Sequence, residues 1–218
     1  EVDAGVPRFE DGKFGKAVMV EEGTTNLLTA NQSSIETDLS DIRAYGSTIE
    51  RDTTLAWHGS ACLKVTGGEG AVYFGTSLNG ANSISPSTQY TLSAYIKVPS
   101  ALVGRKFRIW LKQPDGDPGA STYYVINTTD WTRIETTITT SASATTGTVW
   151  LDIAGSLAAG EYYFADGVQL EKKPYATSWT LGGSTRSPET LTIPTAGVLN
   201  PQEGTVECWV KLSHLNPN

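Results

Sequence analysis

The chain has 218 residues, of which 39% are hydrophobic and 18% charged, enough apolar side chains for a core and too many for a disordered chain. Sixteen basic against 23 acidic residues give a net charge of -7, which repels phosphate backbones and argues against nucleic acid as a partner. No apolar run approaches the ~18 residues of a membrane span, so no membrane partner is expected. Thr and Ser are abundant (29 and 19), and Thr suits pleated, half-buried surfaces. Cys62 and Cys208 lie far apart in unlike surroundings and suggest neither a disulfide framework nor a metal pattern. The chain opens at Glu1 without a charged-then-apolar leader and stops at Asn218 soon after a strand-like run, which reads as a piece of something longer.

In chain order, residues 1–25 carry one strand-like run, Ala17 to Val20, among turn glycines, and read as an N-terminal extension or the end of a preceding domain. Ile35, Leu39 and Ile42 recur at helical spacing after Ser33 and Ser34, predicting a short helix or ordered loop. Strand candidates then follow at short spacing: Ser47–Glu50, Ala61–Thr66, Ala71–Leu78, Tyr90–Val98, Lys106–Gln113, Thr122–Ile126, Thr132–Thr139, Thr148–Ala154 and Glu161–Glu171. Their number and spacing predict an all-β fold, an antiparallel β-sandwich over 26–179. The glycines and serines of 180–188 read as a linker, and 189–218 as the truncated start of a second β domain, with strands at Glu189–Ile193 and Gly204–Leu212.

Strand parity places Phe107, Ile109 and Leu111 on one side and Arg108, Trp110 and Lys112 on the other. Likewise Val149, Leu151 and Ile153 oppose Trp150 and Asp152, while Tyr95 shares the polar side of its strand. Tyr95, Trp110 and Trp150 are therefore candidate stacking platforms, with Arg108, Lys112 and Asp152 as hydrogen-bonding neighbours. Sugars suit such a surface, because their C–H faces lie on aromatic rings while hydroxyls reach charged side chains. The same aromatics could instead cover the second face of a sandwich or pack under loops, and parity does not separate the two.

Catalytic signatures are weak. His58 and His214 are the only histidines, and nothing near His58 reads as a nucleophile elbow. Glu50, Asp152 and Glu161 are scattered acids rather than a recognisable pair. Asp115 and Asp117 read as turn formers, since an ion-binding loop would want a Glu where Ile126 stands. The Asn127-Thr128-Thr129 sequon matters only in a glycosylating source.

Taken in order, Asn26-Leu27-Leu28, Glu36, Trp57 to Val65, Tyr90 to Lys97 and Tyr163 to Glu171 resemble the galactose-binding-like jelly-roll modules of the family 4, 9 and 22 carbohydrate-binding type. The resemblance covers about 26–179. It implies a two-sheet jelly roll, non-catalytic binding of polysaccharide or cell-surface glycan through aromatics on the concave sheet, and often a structural Ca2+. It carries the calcium positions onto Glu36, the backbone at Gly59, and Asp166, although the family's Phe-Glu and Asp-Asp pairs read Ile35-Glu36 and Ala165-Asp166 here. Hard oxygen ligands from distant segments would tie the chain ends together.

A second resemblance lies in Tyr175 to Trp179 followed by Thr185-Arg186, which is similar to the exit segment of modules in bacteriophage tail proteins. Gly204 to Lys211 looks like the opening strand of a concanavalin-like (laminin G-like) domain, and Gly12 to Ala17 like the close of a similar one. These imply an extracellular or virion-associated multidomain parent, with oligomerisation through that parent. The alternatives are a structural spacer of a phage tail without glycan specificity, and a piece of a secreted glycoside hydrolase.

Overall fold

In the computed structural model, residues 8–12, 15–77, 81–114, 122–192, 203 and 208–210 are described. The chain divides into two units, Thr24–Arg186 and the two flanks, Glu1–Gly23 with Ser187–Asn218. Among the described residues no helix is long and apolar enough to cross a membrane. In the flanking unit, β1 (Arg8–Gly12) and β2 (Gly15–Met19) form an antiparallel hairpin in which Arg8 faces Met19 and Gly12 faces Gly15. Of the two later strands expected in the flank, residues 189–192 form none and most of 204–212 lies outside the described residues. Cys208, Trp209 and Val210 are exposed and lie in no strand.

The larger unit is the antiparallel sandwich that the strand spacing predicts. Its strands are β3 (Thr24–Thr25), β4 (Ile42–Tyr45), β5 (Thr48–Asp52), β6 (Cys62–Gly68), β7 (Ala71–Phe74), β8 (Asn82–Ser83) and β9 (Gln89–Lys97). They continue as β10 (Lys106–Lys112), β11 (Tyr124–Val125), β12 (Thr132–Thr139), β13 (Thr146–Ile153), β14 (Leu157–Glu171) and β15 (Thr185–Arg186). One sheet has the order β11-β10-β13-β7-β4, with β8 also on β13; the other has the order β12-β9-β14-β6-β5. Phe107, Ile109 and Leu111, with Val149, Leu151, Val72 and Phe74, point inward from the first sheet and are fully buried. Leu63, Val65, Leu92, Ala94, Ile96, Ile134 and Tyr163 meet them from the second. Each such aliphatic or phenyl side chain contributes about 1.5–3 kcal/mol by leaving water, which makes the two-residue alternation the dominant register signal.

The short helix falls earlier than the spacing of Ile35, Leu39 and Ile42 predicts. It is α1 (Ala30–Ser34), started by Thr29, whose hydroxyl accepts from the Gln32 N–H while the Gln32 side chain accepts from the Thr29 N–H. Ile35 ends it at φ +57°, a left-handed conformation that costs a β-branched residue about 1 kcal/mol or more and is offset by its complete burial. Ile42 then opens β4, which the helical spacing concealed.

The C-terminal end of the unit also differs from the sequence reading. Residues 180–186 are packed, not a free linker: the Thr180 N–H donates to Gln169 Oε1 at 2.7 Å, and β15 pairs with β3. Gly182 is needed because a Cβ there would lie 2.0 Å from the Thr29 carbonyl oxygen. The fully buried Asn26 closes this end. Its Nδ2 lies within hydrogen-bond distance of Ser33 Oγ, Val168 O and Thr180 O, and its Oδ1 accepts from the Leu28 and Leu170 N–H groups. Asn26→Ala would strand several of these partners in a dry interior, at about 1–3 kcal/mol each. The expected result is a loss of about 3 kcal/mol and a fall of roughly 10 °C in Tm by thermal unfolding.

Candidate functional site

The outer faces of the two sheets differ. On the second sheet, the segment after β14 folds back over the strands: Thr91 Oγ1 donates to Lys173 O, and Arg133 Nη2 donates to Thr177 O and to Ser93 Oγ. Thr91 and Ser93 are buried as a result, although parity turns them outward. On the first sheet the outward residues of β13 are also buried, with Thr148 bonded to Ser77 and Ala81, but a cleft opens beside Trp110, and the candidate site lies there.

Register builds that face. Trp110 on β10 stands opposite Trp150 on β13, Trp150 opposite Tyr73 on β7, and Tyr73 opposite Arg43 on β4. Two residues along, and so on the same face, Arg108 stands opposite Asp152. The result is a row of three aromatic rings beside an ion pair, and a cleft of about 450 Å³ is lined by Trp110, Trp150 and the pair. Tyr45 and Tyr123, 53% and 42% exposed, line its walls, with Glu69, Lys112 and Gly155 also at its surface.

Within the row the rings have different roles. Trp150 is only 4% exposed: Tyr73 stacks on it at 5.0 Å, Tyr45 meets it edge-on at 5.6 Å, Trp110 lies 5.5 Å away, and the Lys112 ammonium sits 5.0 Å over its ring. Trp150 is floor. Trp110 is half-buried, and its Nε1 donates to Asp152 Oδ2 at 3.2 Å. Asp152 also accepts from Arg108 Nε at 2.8 and 3.0 Å, so one nearly buried carboxylate fixes both a ring and a guanidinium. That guanidinium lies 4.9 Å over Trp110 and 5.1 Å over Tyr123. A patch of mutually tilted aromatic rings with oriented donors at its edge is thus held in place before any ligand arrives.

The structure brings together five of the six residues singled out for sugar contact: Arg108, Trp110, Lys112, Trp150 and Asp152. Tyr95 is not among them. It does point outward, but from β9 in the other sheet, where Trp57 stacks on it at 3.6 Å and the Arg133 guanidinium lies 5.8 Å away. Parity assigns a face of a strand, not a sheet, and this is why the six do not form one site. Tyr123, from the predicted Thr122–Ile126 strand region, joins this face as a further aromatic, while Tyr45 and Tyr73 were missed; the alternation of Tyr73 against Val72 and Phe74 was the available signal for the latter. The turn at Asp115 and Asp117 lies outside the described residues.

A second cluster gathers the positions that the resemblance links to calcium. Glu36 reaches the 57–61 turn, where Ser60 N–H, Ser60 Oγ–H and Ala61 N–H donate to its carboxylate. From β14, Asp166 accepts from the Trp57, His58 and Gly167 N–H groups at 2.9, 3.0 and 2.7 Å. Gly59 stands between with φ +73°, and a Cβ on it would lie 2.3 Å from Glu36 Oε1. Two hard oxygen donors from distant segments fit calcium in type. In the arrangement seen their oxygens accept from N–H and O–H groups, and among the described residues no three acidic, His or Cys side chains gather as a metal cluster. Burial pushes the Asp166 carboxyl up to about 7, against the lowering effect of its amide donors. The hydrogen bonds from Ser60 and Ala61 outweigh desolvation at Glu36 and hold it below its usual value.

The cysteines are both free, and Cys62 is inert, its thiol pushed to about 12 by burial and by the nearby Asp166.

A family model described as a carbohydrate binding domain matches residues 21–156. No curated protein matches. Among solved structures, an arabinose-bound GH51 α-L-arabinofuranosidase is similar at 16% identity and a TM-score of 0.50, over 74% of this chain and 27% of that one. A family 16 carbohydrate binding module is similar at 20% identity and a TM-score of 0.48, over 66% and 99%. The CBM22 tandem domain of Paenibacillus barcinonensis Xyn10C is similar at 16% identity and a TM-score of 0.45, over 72% and 48%. This chain therefore spans less than half the length of two of these three. The sandwich, its aromatic cleft and the match over 21–156 lead to one conclusion: the chain belongs to the carbohydrate binding domain family.

Proposed function

We propose that the chain binds polysaccharide without catalysis on the outer face of the β11-β10-β13-β7-β4 sheet. Trp110 is the stacking platform, Tyr45 and Tyr123 are the walls, and Arg108, Asp152 and Lys112 supply the polar contacts. The observation that carries this reading is the row of rings beside the Arg108–Asp152 pair, fixed in the floor of a cleft. A cleft about 450 Å³ in volume covers only a few sugar units and leaves much of each wet. Dissociation constants of about 10 µM to 1 mM are expected, improved by multivalency in an oligomeric parent. Placement outside the cell or on a virion, where such glycans are met, belongs to the same proposal.

The test is a binding screen of this chain against soluble and insoluble polysaccharides. Binding that survives in the parent and is lost in a variant of the face supports the proposal. No binding across a broad panel, with the chain folded and calcium supplied, favours a structural spacer.

Calcium at the 57–61 turn is a further part of the proposal. Glu36 and Asp166 would hold it through their carboxylates and Gly59 through its carbonyl, joining β14 to the start of the sandwich. A ligand that binds only the folded state stabilises it by mass action. EDTA should then lower the Tm and added calcium restore it; an unchanged Tm would sink the calcium assignment while leaving the sugar face untouched.

A further inference from the structure

The two flanks are read from sequence as pieces of two different neighbouring domains, one before the sandwich and one after it. Their hydrogen bonds point elsewhere. Within the flanking unit, the Glu189 N–H donates to Glu21 O at 2.9 Å, and the Glu21 N–H donates to Glu189 Oε2 at 2.8 Å. These two segments lie on opposite sides of the sandwich in sequence, and both belong to the same unit.

Within the sandwich unit the incoming and outgoing chains also pair. Thr25 faces Thr185 and Thr24 faces Arg186 in an antiparallel ladder, with the two threonine hydroxyls 2.8 Å apart and the Asn26 N–H donating to Ser184 O. In each of these sandwich pairs the two residue numbers add to the same total. A constant total is what a single antiparallel register produces. Two unrelated domains that happened to flank a module would have no reason to exchange the two hydrogen bonds between Glu21 and Glu189.

We infer that the sandwich of 24–186 is an insertion within a second β domain, whose two parts are the segment ending near Gly23 and the segment beginning near Ser187. The chain that leaves the β1–β2 hairpin is thus bonded, at Glu21, to the later segment of the same chain. Insertion is easy on physical grounds, because a module whose first and last strands are paired neighbours has its ends about 5 Å apart. It can interrupt a host loop without spreading the strands on either side. The glycan-binding unit would then be carried on two covalent connections, not strung on one linker.

The decisive measurement is amide hydrogen exchange on the full chain and on Glu189→Pro, which removes both the N–H and the carboxylate that meet Glu21. For an inserted domain, amides of β2 and Glu21 should exchange at least tenfold faster in the variant, while those of β9 and β14 keep their protection. Unchanged exchange over 15–21 would overturn the inference, because a hairpin belonging to a separate preceding domain has nothing to lose. If Glu189→Pro also loosens the sandwich, spin labels at Val18→Cys and Leu191→Cys in a Cys208→Ser background decide. One narrow distance supports a single domain; a broad distribution overturns it. Neither readout involves sugar, so the proposed function stands or falls separately.

Discussion

Trp110→Ala is expected to weaken polysaccharide binding by about thirtyfold or more with the fold intact, and Trp150→Ala to unfold the domain long before it reports on binding. The two tryptophans face each other across a strand pair, and the sequence offers no reason to treat them differently. Exposure separates them. Trp150 is 4% exposed beneath Tyr45, Tyr73 and Lys112, so truncating it leaves a cavity and should cost about 3–5 kcal/mol. Trp110 is half-buried with one face toward the cleft, held by Asp152 below, and its loss removes a preformed platform worth about 2 kcal/mol or more to a ligand. Titration calorimetry and thermal unfolding on both variants check the pair of predictions. Full affinity in a folded Trp110→Ala would move the site off this sheet.

The difference between the two rings marks where sequence reasoning reaches its limit. Alternation within a strand is a local property, and it correctly turned Arg108, Trp110 and Lys112 away from Phe107, Ile109 and Leu111. Which sheet a strand joins, and what then covers its outer side, depends on contacts between residues far apart in sequence. Thr91 and Ser93 illustrate this: parity makes them surface residues, and the return of 173–180 over β9 buries them. Tyr95 likewise stands apart from the other five, on the second sheet under Trp57. Tyr45 escaped because β4 was hidden in an apparent helical repeat, and the face of Tyr123 stayed open because the strand after it has only two residues. The Gly182-Gly183 pair resembled a linker, yet glycine also marks places where backbones touch, and here Gly182 packs on Thr29. The Glu36, Gly59 and Asp166 cluster was found only through the family resemblance, since its members span 130 residues and no spacing rule joins them.

Asp166 provides the second large effect. Its side chain accepts from three peptide N–H groups at the junction of β14 with the 57–61 turn, so Asp166→Ala would leave three donors unpaired in a buried site. A loss of several kcal/mol is expected, about 1–3 for each stranded group before relaxation. Asp166→Asn, which keeps one oxygen, should lose less. The pH dependence has the opposite sign from that of an ordinary paired carboxylate. Burial raises the folded pKa to about 7, above the ordinary value of 3.8, so between those values the folded state holds a proton that the unfolded state releases. In calcium-free buffer, stability should therefore rise as the pH falls from 7 toward 4, by about 2 kcal/mol at pH 5.5. The carboxyls held low, Glu36, Asp38 and Asp52, pull stability down again as the pH falls through their ordinary values of 4.5 and 3.8, at the acid end of that window and below it. Urea unfolding of the parent and Asp166→Asn at pH 5.5 and 8 checks the sign, and a parent whose stability rises toward pH 8 would show Asp166 already ionised in the fold. Bound calcium would hold the carboxylate ionised and abolish the gain on acidification, so the same titration repeated with calcium tells whether the amides or a cation carry its charge.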